Sequence, residues 1–128
     1  MARRYEQITE LYRQSIREIT SRPENWTSFL RSACRNYRLP FDELVLIYAQ
    51  RPDATAVLPI EGKNGWNKRF GRWVNRGATG IAVFDREYVH GTRLKYYFDI
   101  SDTHESRFAR PVPLWEVRSG QEADVIES

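Results

Sequence analysis

GKNGWNKRFGRWVNRGATGIAVFD, Gly62 to Asp85, is the stretch on which the reading of this chain turns. Its second half is strand and turn: Arg72 to Asn75 is short and extended, RGATG (Arg76 to Gly80) is a turn in which Gly77 and Gly80 are free to take positive φ, and Ile81 to Phe84 is an apolar run suited to a strand. Its first half is a loop leading into one helical turn, WNKRF (Trp66 to Phe70). Five cations, Lys63, Lys68, Arg69, Arg72 and Arg76, precede the first acid, Asp85, and Trp66, Phe70 and Trp73 lie among them. Aromatic faces interleaved with Lys and Arg suit a nucleic-acid strand, because bases stack on rings while phosphates pair with cations. The same types also fit a blander picture, with Trp66 a core anchor at a turn and the cations a solvated face.

Downstream, Val89 to Gly91 marks a second turn and LKYYFDI (Leu94 to Ile100) is the clearest strand. Strands joined by such turns pair antiparallel, so a small meander is expected. Lys95, Tyr97 and Asp99 share one face of the last strand; Leu94, Tyr96, Phe98 and Ile100 take the other, which is expected to face the core. Upstream the period changes. From Arg3 to Thr20, Tyr5, Ile8, Leu11, Tyr12, Ile16 and Ile19 recur at helical spacing. Ser21 and Glu24 have the spacing of a capping box and Pro23 falls in the first turn of a second helix, with Trp26, Phe29, Leu30, Ala33 and Tyr37 as its stripe and an end at Leu39 and Pro40. Arg31, Arg35 and Arg38 share one flank of it, either a solvated face or an extension of a phosphate-binding surface. The apolar run Leu44 to Tyr48 fits a strand or a helix by periodicity alone, but Pro40 followed by Asp42 and Glu43 is a helix start, so Phe41 to Gln50 is read as a helix stopped by Pro52. Ala54 to Ile60 then reads as an edge strand interrupted at Pro59. The class is α+β, N-terminal helices packed on a small antiparallel sheet.

Residues 1–118 are expected to form one domain, with Leu114, Trp115 and Val117 docking the last segment and 119–128 an acidic tail or the start of a linker. At 128 residues, with 41% hydrophobic and 13% aromatic residues, the chain is long enough to bury a core and too apolar for disorder over most of its length. Net charge is +3, distributed as +2 over residues 1–50, +4 over 51–100 and −3 over 101–128. That balance permits phosphate binding without demanding it and argues against an acidic mimic of DNA. A single cysteine, Cys34, allows no intrachain disulfide, and no apolar run reaches the eighteen or so residues of a membrane span, so a cytoplasmic protein without a membrane partner is expected. His90 and His104 form neither an HExxH pair nor a zinc set with Cys34; no phosphate-binding glycine loop is present; Asp85, Glu87, Asp99, Asp102 and Glu105 are scattered. No cofactor, metal or enzymatic activity is expected.

LIYAQRPDAT (Leu46 to Thr55) followed by WNKRFGRWVNRGATGIAVFD (Trp66 to Asp85) resembles the N-terminal single-stranded-DNA-binding domain of the ArdC antirestriction family, related versions of which stand at the front of large helicase- and methylase-like proteins of conjugative elements. The resemblance covers about Trp26 to Tyr97, and the family pattern is met by Trp66, Gly71, Val74, Arg76, Gly77 and Gly80. The chain departs from it at Thr79, where a lysine is frequent, and at Asp42 and Glu43, where a polar amide pair is frequent; the metalloprotease-like half is missing. The resemblance implies single-stranded DNA as the partner and service to a mobile element, as a module beside further domains of a larger polypeptide.

The expected function is therefore sequence-tolerant binding of single-stranded DNA. Lys63, Lys68, Arg69, Arg72 and Arg76 are assigned to phosphates, with Asn67 beside them and Lys95 extending the track; Trp66, Trp73 and Tyr97 are assigned to base stacking, and Gly71, Gly77 and Gly80 to close backbone approach. The rival class is a protein-interaction module docking an acidic partner or neighbouring domain. A duplex-binding helical module is disfavoured, because no helix concentrates cations and amides at its N-terminal end.

Overall fold

Three helices open the chain, α1 (Ala2–Ile19), α2 (Pro23–Arg35) and α3 (Phe41–Gln50). The computed structural model describes residues 2–114, Ala2 by its backbone alone. The ambiguous apolar run lies in α3, and Val45, Leu46 and Ile47 are all essentially inaccessible. Leu46 and Ile47 join Ile8, Ala54, Val57, Ile81, Ala82, Val83 and Tyr97 in the cluster between helices and sheet. Val45 joins Ile19 and Phe29 in a second cluster among the three helices. A helix buried on two sides carries apolar residues around most of its circumference, which is why its period is hard to read.

α2 starts and stops differently from expectation. Its N-cap is Arg22, extended at φ −145°, without a side-chain cap. The Ser21 hydroxyl instead donates to the Glu18 carbonyl at 2.7 Å, satisfying the frayed end of α1 rather than the start of α2. The helix ends at Arg35, where the Asn36 N–H turns back to the Ala33 carbonyl. The Asn36 amide oxygen accepts from the Val57 N–H at 3.3 Å, tying the end of α2 to the first strand.

That strand, β1 (Val57–Leu58), is an edge. With β3 (Ile81–Phe84) and β4 (Leu94–Asp99) it forms an antiparallel sheet in the order β1-β4-β3. The β3–β4 hairpin pairs Ile81 with Tyr97 and Phe84 with Leu94. Side-chain amides close both edges: Asn36 on β1, and Gln50 on β3, where it donates to the Ala82 carbonyl at 2.8 Å and accepts from the Ala82 N–H at 3.0 Å.

The expected meander holds as the β3–β4 hairpin, whereas β2 (Arg72–Val74) leaves it. β2 pairs antiparallel with β5 (Thr103–Glu105), a strand not foreseen, in register Arg72 to Glu105 and Trp73 to His104. Asn75 N–H donates to the Asp102 carbonyl at 2.8 Å, and Arg72 grips Thr103, so β2 is held by the returning chain rather than by its sequence neighbour. A short helix, α4 (Trp66–Phe70), precedes β2, and a 3-10 turn at Ile100–Asp102 precedes β5.

The faces of β4 are also the reverse of those expected. Tyr97 and Asp99 point inward and Tyr96 is exposed. The buried polar ends find partners: Tyr97 Oη donates to Glu43 of α3 at 2.5 Å, and the Asp99 carboxylate accepts from Thr55 N, Ala56 N, Ser101 N and Ser101 Oγ. Burial pushes the Asp99 carboxyl up, but these hydrogen bonds outweigh it and hold its pKa below the ordinary carboxylate value. No helix among the described residues is long and apolar enough to cross a membrane. Leu114 is described and half exposed; Trp115, Val117 and the acidic stretch 119–128 lie outside the described residues.

Candidate nucleic-acid interface

Because Asn36 fastens the end of α2 to β1, the adjoining turn, Tyr37 to Leu39, stands beside the sheet edge. Between this turn, β1 with its trailing loop, α4 and β4 lies an open groove of about 1060 Å³. Its lining includes five cations, Arg35, Arg38, Lys63, Arg69 and Lys95, against two acids, Glu61 and Glu87. Two accessible rings join them, Tyr37 (62% exposed) and Tyr96 (44%). The Arg38 guanidinium lies 5.6 Å from the Tyr37 ring centre, and Arg69 lies 5.1 Å from that of Phe70. The Arg38 Nε–H donates to the Tyr37 hydroxyl at 3.2 Å, which leaves the terminal Nη donors of Arg38 for a ligand.

Beneath the groove the chemistry is internal. Trp66 is fully buried, its Nε1–H donates to the Phe98 carbonyl at 2.7 Å, and its ring lies 5.9 Å from Phe70. It is a floor, and a base cannot stack on it. Tyr97 is likewise enclosed. Burial, then the hydrogen bond to Glu43 and the nearby carboxylate charges, push its phenol well above its ordinary pKa. Lys95 Nζ is 3.3 Å from the other Glu43 oxygen, so a phosphate at Lys95 competes with a buried carboxylate. Asp42 is also internal, paired with Arg86 at 2.8 Å. The acids expected to oppose a strand at this site are therefore engaged inside the fold.

Arg72 is a clamp. Its Nε donates to Thr103 Oγ1 at 2.7 Å, its Nη2 to the Thr103 carbonyl, and Glu105 lies 3.5 Å from Nη1, so it joins β2 to β5 and presents little to solvent. Gly71 serves the chain as well: it sits at φ +63°, and a Cβ there would lie 2.4 Å from the Phe108 carbonyl oxygen. The close approach is made by the protein's own backbone. Gly80 lies against Tyr96 and Phe98, whereas Gly77, at φ +85°, faces open space in its turn. Trp73 and Arg76 are exposed on the β2–β5 ribbon and its turn, and neither lines the groove. Lys68 is exposed on α4 outside the lining, and Asn67 has its Oδ1 buried without a partner. Of the residues assigned from sequence, Lys63, Arg69 and Lys95 converge on the groove, with Trp66 and Tyr97 as its base.

Arg35, Tyr37, Arg38 and Tyr96 complete the groove and were not among the assigned residues. The spacing of Arg35 and Arg38 is visible in the sequence; what places them at a ligand-sized trough is the Asn36 link to β1. His104 is exposed, with Nδ1 2.6 Å from Asn75 Oδ1. Cys34 is half-buried and burial pushes its thiol pKa up. Among the described residues no three His, Cys, Asp or Glu side chains gather as a metal site requires. No protein-family model, curated protein or solved structure matches this chain.

Proposed function

We propose that the protein binds single-stranded DNA without sequence preference along this groove, as a binding module without chemistry of its own. The observation that carries the reading is the convergence of five cations and two exposed tyrosine rings in one open trough. Phosphates pair with Arg35, Arg38, Lys63 and Arg69, and bases stack on Tyr37 and Tyr96, a division of labour that tolerates any base because every base has a π-face. The resemblance to the ArdC N-terminal domain supports the same ligand and suggests service to a mobile conjugative element. The path differs from the one assigned from sequence, running past the end of α2 and not along the β2–β5 ribbon.

Fluorescence anisotropy with labelled single strands of increasing length, against duplex of equal length at two salt concentrations, tests the reading. Affinity is expected to rise with length to a plateau, to weaken with salt and to favour single strands. No binding at low salt sinks it. A second reading, docking of a protein partner or neighbouring domain, is favoured by Trp26 and Phe41, both exposed and flanking Phe29 at centroid distances of 5.5 and 5.7 Å. Such docking shows no dependence on oligonucleotide length.

A further inference from the structure

We propose that the acidic stretch after Leu114 docks in the basic groove and there competes with the nucleic-acid strand; the competition, though not the docking, rests on the strand-binding reading above. The described chain ends at the groove itself, which Val112, Pro113 and Leu114 help to line. Its approach is fixed. The Arg110 N–H donates to the Phe70 carbonyl at 2.9 Å and the Arg110 guanidinium to the Arg69 carbonyl at 3.0 Å, and Pro111 and Pro113 restrict the backbone beyond. The remaining residues, WEVRSGQEADVIES, carry Glu116, Glu122, Asp124 and Glu127 against Arg118 alone, opposite in sign to the groove.

Reach is ample, since fourteen extended residues span about 45 to 50 Å. Attraction between exposed charges is weak and screened by salt, so a free peptide of this sequence binds poorly. Tethering at the rim changes the arithmetic: a short link gives an effective concentration of about millimolar, enough to lower apparent strand affinity by roughly fivefold even when intrinsic affinity is a few tenths millimolar.

The test uses the full chain. Neutralising Glu116→Gln, Glu122→Gln, Asp124→Asn and Glu127→Gln together is compared with Glu6→Gln, Glu10→Gln, Glu18→Gln and Glu24→Gln, an equal charge change on α1 and the first turn of α2, away from the groove lining. The first set is expected to tighten binding of a labelled single strand by about fivefold more than the second at low salt, the gap closing at high salt. Separately, without DNA, a benzophenone side chain in place of Ala123 is expected to cross-link within one chain to peptides carrying Lys63 or Arg69. Equal affinities for the two sets overturn the competition. Cross-links outside the groove, or joining two chains, overturn the docking, the latter assigning the groove to a second copy's tail. Because the cross-link is read without nucleic acid, failure of every variant to bind a strand counts against the strand-binding reading alone.

Discussion

Replacing Trp66 separates a core residue from a stacking platform, and the structure sets the size of the effect. The side chain is fully buried, touches Phe70 and donates its indole N–H to the Phe98 carbonyl at 2.7 Å. Trp66→Ala removes a large ring from a filled site, about 3 to 5 kcal/mol, and with it a part-buried hydrogen bond, about 0.5 to 1.5 kcal/mol more. Against a total stability of about 5 to 15 kcal/mol for an ordinary domain, that leaves the variant close to unfolding or beyond it. Trp66→Phe keeps most of the ring and loses the N–H, at a cost of about 2 to 3 kcal/mol and a fall in melting temperature of about 10 °C. Far-UV circular dichroism melts of the three proteins measure this. Tryptophan emission gives an independent check: in a Trp115→Phe background, Trp66→Phe should remove the blue-shifted component that iodide does not quench, leaving that of the exposed Trp26 and Trp73. A Trp66→Ala protein that melts within about 2 °C of the parent while losing strand affinity tenfold would refute the reasoning, because only an accessible stacking ring behaves that way.

Acid exposes the Asp99 network. The Asp99 pKa is depressed in the fold, so its contribution is fully present above the unfolded value of about 3.9 and is lost as pH falls through the lower folded value; urea midpoints between pH 5 and 2 should decline, and Asp99→Asn should flatten that decline while lowering the midpoint at pH 7. Tyr97 acts at the other end of the scale. Its pKa is raised above the ordinary 10.0, so its contribution is intact below that value and is lost as pH rises beyond it; absorbance titration should show a tyrosine step that coincides with unfolding and that Tyr97→Phe abolishes. Arg38→Ala, Lys63→Ala and Arg69→Ala should each reduce the salt slope of strand binding by about 0.7 with the melt unchanged, whereas Arg76→Ala should leave the slope as it was. Gly71→Ala should lower stability by about 1 to 3 kcal/mol through its positive φ and the Phe108 carbonyl in its way, a loss read from the thermal midpoint.

What could be read from the sequence was what local spacing carries. The bounds of α3 follow from Pro40, the first-turn acids Asp42 and Glu43, and Pro52, signals complete within a dozen residues, and both α3 and the short α4 lie where the sequence places them. Three of the residues assigned from sequence share a different property: each is an amphipathic or charged side chain satisfied by a distant partner. Trp66 bonds a carbonyl 32 residues on, Arg72 a hydroxyl 31 residues on, and Tyr97 a carboxylate 54 residues back. Nothing near them in the chain announces those partners, so alternation along β4 suggested the wrong face and a basic cluster suggested a phosphate track where one of its members is a clamp. The same logic locates the groove from the opposite side. Arg51, Arg72, Arg86 and Arg93 are all paired with carboxylates, whereas among the described residues none pairs with Arg35, Arg38, Lys63 or Arg69. A polyanion meets least competition where the fold leaves positive charge unanswered, and those four side chains line one trough. Among the described residues Arg76 and Lys68 also have no carboxylate partner, so what sets the four apart is that one trough gathers them, and that is tertiary information: the Asn36 link sets the end of α2 against β1.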